Sequence, residues 1–286
     1  MSTTKTVNPT EPPAEPTREV ALRNGKGTVL VREEFANRFP ALAPTEEMMA
    51  VFEENLGDET LGVSDFKVVK VPSGELNSWV VTKGGEETSV RELVGVVVAI
   101  RQRRSFWQGE GDPDGSFPDC TSADGKTPQP GGMYAPDGEM GASNPRGTCK
   151  TCPMYQRGSD KNGASKCREQ RLFFLMVNGA MFPTVVQVPR TSIKGARGYA
   201  MELAEDGLPY YSVETAMGLT KAKNTEGTAY NKITFRSAGK LTEAERQAAQ
   251  VFGQEIKDMV DQAAADFSEA ATAEAAGSGI SVGDSS

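Results

Sequence analysis

Four cysteines carry the clearest chemistry in this chain. Cys120, Cys149, Cys152 and Cys167 all fall within one 48-residue stretch. Cys149-Lys-Thr-Cys152-Pro is a C-x-x-C turn, which lets two thiolates reach one metal ion from a single tight turn. Cys120 and Cys167 flank it and complete a tetrahedral set of four thiolates. The segment around them is poor in apolar residues and cannot fold by burial alone. Structural Zn2+ would supply the missing free energy, about 10–16 kcal/mol in zinc-finger peptides. A closed four-sulfur site leaves no position for a reactive water, so the expected role is structural and not catalytic. Other readings of the same thiols stay open. Two disulfides would suit an oxidising compartment. An iron–sulfur cluster also takes four Cys, although close-set C-x-x-C-x-x-C runs are absent. A redox C-x-x-C belongs in a βαβ context, and four unrelated thiols need no explanation at all.

The residue type that is missing excludes the most. Among 286 residues there is no His. That removes Ser-His-Asp and Cys-His nucleophile pairs, His general bases and every imidazole-ligated metal. Neither Gly-x-x-x-x-Gly-Lys-Ser/Thr nor Gly-x-Gly-x-x-Gly occurs after a strand pattern, so the usual nucleotide fingerprints are absent. Asp112, Asp114, Asp119 and Asp124 cluster, and two-metal chemistry needs only acids. They lie in a Gly/Pro-rich stretch, where turn formation is the expected use of Asp. No catalytic residue is assigned, and a non-enzymatic protein is expected.

Basic and aromatic side chains interleave through the same region. Arg101, Arg103 and Arg104 lead directly into Phe106 and Trp107. Around the cysteines stand Lys150, Tyr155, Arg157, Lys166, Arg168 and Arg171. Further on come Lys194 and Arg197, then Lys221 and Lys223, then Tyr230, Lys232 and Arg236. In Tyr230-Asn-Lys-Ile-Thr-Phe-Arg236, strand alternation places Tyr230, Lys232, Thr234 and Arg236 on one face, with Ile233 and Phe235 on the core side. Tyr and Lys on an exposed strand face suit single-stranded nucleic acid. Bases stack on rings for roughly 1–3 kcal/mol each while cations track the phosphates.

Charge is distributed to match. The chain holds 31 Lys plus Arg against 39 Asp plus Glu, a net charge of -8. Residues 1–100 carry -6, residues 101–240 carry +5 and residues 241–286 carry -7. Within residues 146–240 the balance reaches +8. A basic centre between acidic ends points to a polyanionic partner for the centre alone.

These groups must be held by a modest core. Apolar residues make up 37% of the chain, which is lean for a globular protein yet too rich for full disorder. Residues 1–18, rich in Pro, Thr and Glu, read as a disordered arm. Thr45 caps an expected helix over Thr45–Leu56 that Gly57 ends. Strands are expected at Phe66–Val71, Ser78–Thr82 and Leu93–Ile100, the last a short β-branched run that reads as fully buried. Residues 109–170 form a long insertion carrying the cysteines, crowded with Gly, Pro, Asp and Ser up to about residue 148. Arg171–Asn178 and Thr184–Val188 pattern as a hairpin. Ser192–Ala204 reads as a helix, and Leu208–Glu214 and Ala229–Arg236 as strands. Thr242 and Glu245 fit a capping box that opens a helix to about Phe267, with one apolar stripe. Residues 268–286 read as a flexible acidic tail.

The expected class is therefore β-rich α+β. An OB-like, partly open barrel over residues 19–240 is interrupted by a four-cysteine zinc loop at about 109–170. It is followed by a C-terminal helix at 241–267 and disordered termini. Other small α+β sheets fit the same order. No stretch is long and apolar enough for a membrane span, and the N-terminal residues lack a secretory pattern, so a cytoplasmic location and no membrane partner are expected.

A β-barrel interrupted by a zinc loop, with a basic centre and an acidic C-terminal tail, resembles the phage single-stranded DNA-binding proteins, of which the T-even helix-destabilising type is the clearest example. The runs Pro118–Gly125, Cys149–Pro153 and Lys166–Leu175 are similar to a pattern in phage-encoded proteins. The resemblance implies sequence-independent binding of single-stranded DNA in replication or recombination. It also implies zinc ordering a loop beside the groove and a tail that meets replication or recombination proteins. Two other functions fit the residues: a zinc-stapled interaction or virion module without nucleic-acid binding, and a carboxylate-metal DNA-processing enzyme.

Overall fold

A computed structural model describes residues 19–24, 27–57, 65–72, 76–83, 85–109, 118–161, 163–223 and 227–277. The N-terminal arm and the last nine residues lie outside that range. The chain begins with a hairpin of β1 (Glu19–Asn24) and β2 (Gly27–Arg32), followed by helices α1 (Glu33–Arg38) and α2 (Glu46–Leu56). Short strands β3 (Val68–Lys70), β4 (Trp79–Lys83) and β5 (Glu86–Val90) lead into the long β6 (Glu92–Phe106). After β7 (Cys120–Ser122) come β8 (Arg168–Val177), β9 (Thr184–Pro189), α3 (Arg190–Glu205), β10 (Val213–Lys223), β11 (Ala229–Lys240) and α4 (Glu243–Gly277).

The main sheet is a curled half-barrel in the order β11-β10-β6-β8-β9-β3, with β7 also on β6. All its pairs are antiparallel except β3 with β9. The architecture is thus strand-rich α+β with a C-terminal helix, as the sequence led us to expect at that level.

Both faces of the sheet are covered. Val96, Val98, Phe174 and Met176 face α4 and the α1 region. Val97, Phe173, Leu175 and Met217 face the other way, toward α3 and Trp79. A strand covered on both sides has no reason to alternate, and that is why Leu93–Ala99 reads as an unbroken apolar run. Trp79 is fully buried, and its indole Nε1–H donates to the Met217 carbonyl at 2.8 Å, pinning the β4–β5 hairpin to β10. On the α3 side, Ser192 Oγ accepts from the Ile233 amide at 2.9 Å, so this helix satisfies a donor on the edge strand β11.

The helix caps follow the residue types. Thr45 Oγ1 accepts from the Met48 amide at 3.3 Å, and Gly57 ends α2 with φ +56°. At α4 the expected capping box is present: Thr242 N–H donates to Glu245 Oε2 at 2.8 Å, and Glu245 N–H donates to Thr242 Oγ1 at 3.4 Å.

Three expectations need correction. The strand expected at Leu208–Glu214 lies later, at Val213–Lys223, because Pro209 opens a 3-10 turn over Tyr210–Ser212. The strand expected at Leu93–Ile100 continues to Phe106, since β7 and β8 supply hydrogen-bonding partners for its polar second half. The last helix, expected to stop near Phe267, continues to Gly277 through an Ala-rich stretch of high helix propensity, so residues 268–277 are helical and not tail.

Candidate functional site

The four cysteines gather at one end of the sheet. β6 delivers Phe106 to that end, β7 pairs Cys120 with it, and Cys167 immediately precedes β8. Between β7 and β8 the chain is almost free of regular structure, yet it is closely held. Cys149 N–H donates to the Lys126 carbonyl at 2.7 Å, Cys167 N–H to the Met154 carbonyl at 2.8 Å, and Met133 N–H to the Asp119 carbonyl at 2.7 Å. The C-x-x-C turn is closed by Cys152 N–H on the Thr148 carbonyl at 3.1 Å. Buried Asn144 braces it, accepting from Thr151 Oγ1 at 3.0 Å while its amide donates to the Tyr134 carbonyl. Gly132 sits so close to Cys120 that a Cβ there would lie 3.1 Å from its sulfur.

A small core of its own anchors this module. Phe106 and Tyr134 meet edge to face at 5.4 Å, and Cys152, Cys167, Met133 and Met154 pack with them. Beside these rings lies a cavity of about 20 Å³ lined by all four cysteines together with Arg104, Ser122 and Asn144. That is room for about one water-sized body. None of the four thiols is in a disulfide. They line one space without converging on a point: among the described residues no group of three or more Cys, Asp or Glu side chains is placed so that it could hold a metal ion. Burial pushes the Cys120 and Cys149 thiols up, and the Cys167 thiol up to about 12. A hydrogen bond from the Tyr134 backbone works in the opposite direction at Cys120, and the nearby positive charge of Arg104 does so at Cys149.

The predicted basic and aromatic residues separate into groups. One surrounds the cysteine module. Lys166 Nζ donates to the Gln108 carbonyl at 2.7 Å and lies 5.5 Å from the Phe106 ring centre. The Arg168 guanidinium lies 5.4 Å from the Trp107 ring centre. Lys150 and Arg157 are exposed on the module, and Gln156 Nε2 donates to the Lys150 carbonyl at 2.8 Å, bringing their two segments together. Arg103 and Arg171 sit on β6 and β8, half-buried.

Arg101 and Arg104 are committed elsewhere. Arg101 Nη2 donates to the Lys257 carbonyl at 3.0 Å and pairs with Asp261 at 2.6 Å, both on α4. Arg104 is 9% exposed, lines the thiol cavity and stacks on Tyr155 with its Cζ 3.6 Å from the ring centre. It is not on the surface where a phosphate would meet it. The strand period carries the missed signal: continued past Ile100, it puts Arg104 on the face of Phe106.

The second group is remote. Lys221, Lys223, Tyr230 and Lys232 lie on the β10–β11 hairpin beyond Glu92, where β6 starts. Phe106 is at the other end of that 15-residue strand, about 50 Å away along the chain at about 3.3 Å per residue. Tyr230 and Lys232 do share the outward face, with Ile233 buried opposite. Arg236 is paired with Glu92, and Lys194 and Arg197 are exposed on α3. The acids are used locally. Asp124 accepts from Ser122 Oγ and from the Lys126 and Thr127 amides, and Asp119 accepts from the Gln108 amide. Asp112 and Asp114 lie outside the described residues.

No family model matches the chain, and neither a curated protein nor a solved structure matches it. Among the described residues no helix is long and apolar enough to cross a membrane.

Proposed function

We propose that this protein binds single-stranded DNA without sequence preference, in replication or recombination, and that Cys120, Cys149, Cys152 and Cys167 hold one structural Zn2+. The observation that carries the reading is the coincidence of two features at one end of the sheet. Four thiols line one cavity, and Lys150, Arg157, Lys166 and Arg168 surround it beside Trp107 and Tyr155. In this reading the curled sheet is an OB-like, partly open barrel, and the cysteine module is the loop that presents cations and rings to the strand. Phosphates are neutralised by Lys and Arg, and bases stack on the half-buried rings of Trp107 and Tyr155. Cys120, Cys149, Cys152 and Cys167 would hold the Zn2+, and binding it would fix the C-x-x-C turn that carries Lys150. The acidic C-terminal residues serve as a contact for replication or recombination proteins.

Charge reversal tests the assignment. In a fluorescence-anisotropy titration with a labelled oligothymidylate, Lys150→Glu combined with Arg157→Glu is expected to weaken binding at least about tenfold at low salt. It should also reduce the salt slope by about 2. The pair Lys221→Glu and Lys223→Glu on the remote hairpin should cost less. Unchanged affinity in the first double variant contradicts the assignment of the module, and no binding by the wild-type protein contradicts the function.

A further inference from the structure

The thiol cavity contains an electrostatic anomaly. Arg104 is nine-tenths buried, and its Nε and Nη1 are buried without a hydrogen-bond partner. Its cross-strand neighbour Glu169 accepts instead from the Tyr155 hydroxyl, at 3.4 Å. The guanidinium of Arg104 therefore brings a positive charge into the pocket. A buried charge with no counter-ion is strongly disfavoured unless something at the site supplies one. A strand's phosphates cannot reach it, because the module and Tyr155 close over it. The remaining source of negative charge within the cavity is the set of sulfurs that lines it with Arg104.

We propose that Arg104 is the counter-charge of the four-sulfur site, donating hydrogen bonds to the sulfurs of a bound divalent ion. The inference rests on the zinc reading and deepens it. Four thiolates around a dication carry a net charge of -2, and one guanidinium halves it. The Tyr134 backbone N–H that donates to Cys120 is neutral, so it cannot take this role. Stacking on Tyr155 holds the planar fork in place, and Arg104 lines the cavity beside the sulfurs. Arg104 is therefore a positioning and charge-balancing residue, set on the rigid strand β6 and not on the module it serves.

Full-length wild-type protein, Arg104→Met, Arg104→Gln and Arg104→Lys would be stripped of metal and titrated with zinc against a competing chelator. Cobalt substitution then reads the thiolate charge-transfer band, and alkylation by N-ethylmaleimide reads the reactivity of the bound sulfurs. Met fills the same length of pocket without charge. Metal-free Arg104→Met is expected to resist urea at least as well as metal-free wild type, yet to hold zinc about 10- to 100-fold more weakly. Its metal-bound sulfurs should be alkylated faster and its cobalt band should shift. Arg104→Lys, which keeps the charge, should hold zinc more tightly than Arg104→Gln, which keeps donors only. That comparison carries the test if the Met variant does not fold. Equal zinc affinity and equal alkylation rates across the charged and neutral variants overturn the role of Arg104 alone. A wild-type protein that takes up neither zinc nor cobalt overturns the zinc reading with it.

Discussion

Glu245 and Arg104 are both charged side chains sunk into the protein, and their surroundings answer the burial in opposite ways. Glu245 is fully buried but surrounded by donors. Arg32 approaches it bidentately at 2.6 and 2.8 Å, and the Thr242 amide adds a third bond. Burial alone would raise its pKa, but the Arg32 and Thr242 bonds bring it below the usual carboxylate range. A carboxylate depressed in the folded state contributes stability at pH values above its unfolded pKa, about 4.3, and loses it as pH falls through the folded value. Glu245→Gln should therefore destabilise the protein at neutral pH by about 1–3 kcal/mol, a range below that of a fully buried pair because Arg32 is partly exposed. Urea denaturation at pH 7 and pH 3.5 checks this: the difference between variant and wild type should shrink at the lower pH, and a constant difference would contradict it. The capping box was legible because Thr242 and Glu245 are three residues apart. Arg32 was not, because it comes from a hairpin distant in sequence. Arg104 was misread for a related reason: its type suggested a surface cation, and only its strand register reveals the pocket.

Elements repeat this division between local and distant causes. The α2 cap, the β8–β9 hairpin and the alternation in β11 follow from neighbouring residues and were readable. The length of β6 was not, because a strand of Arg, Gln and Ser is held by partners supplied 14 to 71 residues later. The contact between α4 and β6 is another such case. At the bulge between Val97 and Ala99 the Val98 carbonyl approaches α4 so closely that a Cβ on Gly253 would lie 2.1 Å from it. Alanine normally favours a helix over glycine by about 1 kcal/mol. Here Gly253→Ala should instead lower stability by about 1–3 kcal/mol, because the helix must lift from the sheet. Thermal unfolding decides, and an unchanged or raised Tm would contradict the close approach. The cysteine module makes a separate prediction. Under the zinc reading, chelation should open residues 118–167 to limited proteolysis while the main sheet and α4 remain resistant. Identical digestion with and without chelator would count against a metal in that module.

At the scale of the whole molecule, the charge pattern in the sequence correctly marked a basic middle but gave no hint that the fold would divide it. The strand β6 separates the cations of the cysteine module from those of the β10–β11 hairpin, while Arg101 is tied to α4. One continuous channel through every predicted residue is therefore not the arrangement this fold builds. Under the proposed single-strand binding the footprint centres on the module, with the hairpin as a second, distant contact. The most direct measurement is oligothymidylate binding by full-length protein, zinc-loaded and metal-stripped, across a salt series from about 50 to 300 mM. The zinc-loaded form should bind with an affinity that falls steeply with salt, and stripping should remove most of that affinity. Binding that is absent at the lowest salt, or that is indifferent to the metal, would contradict it.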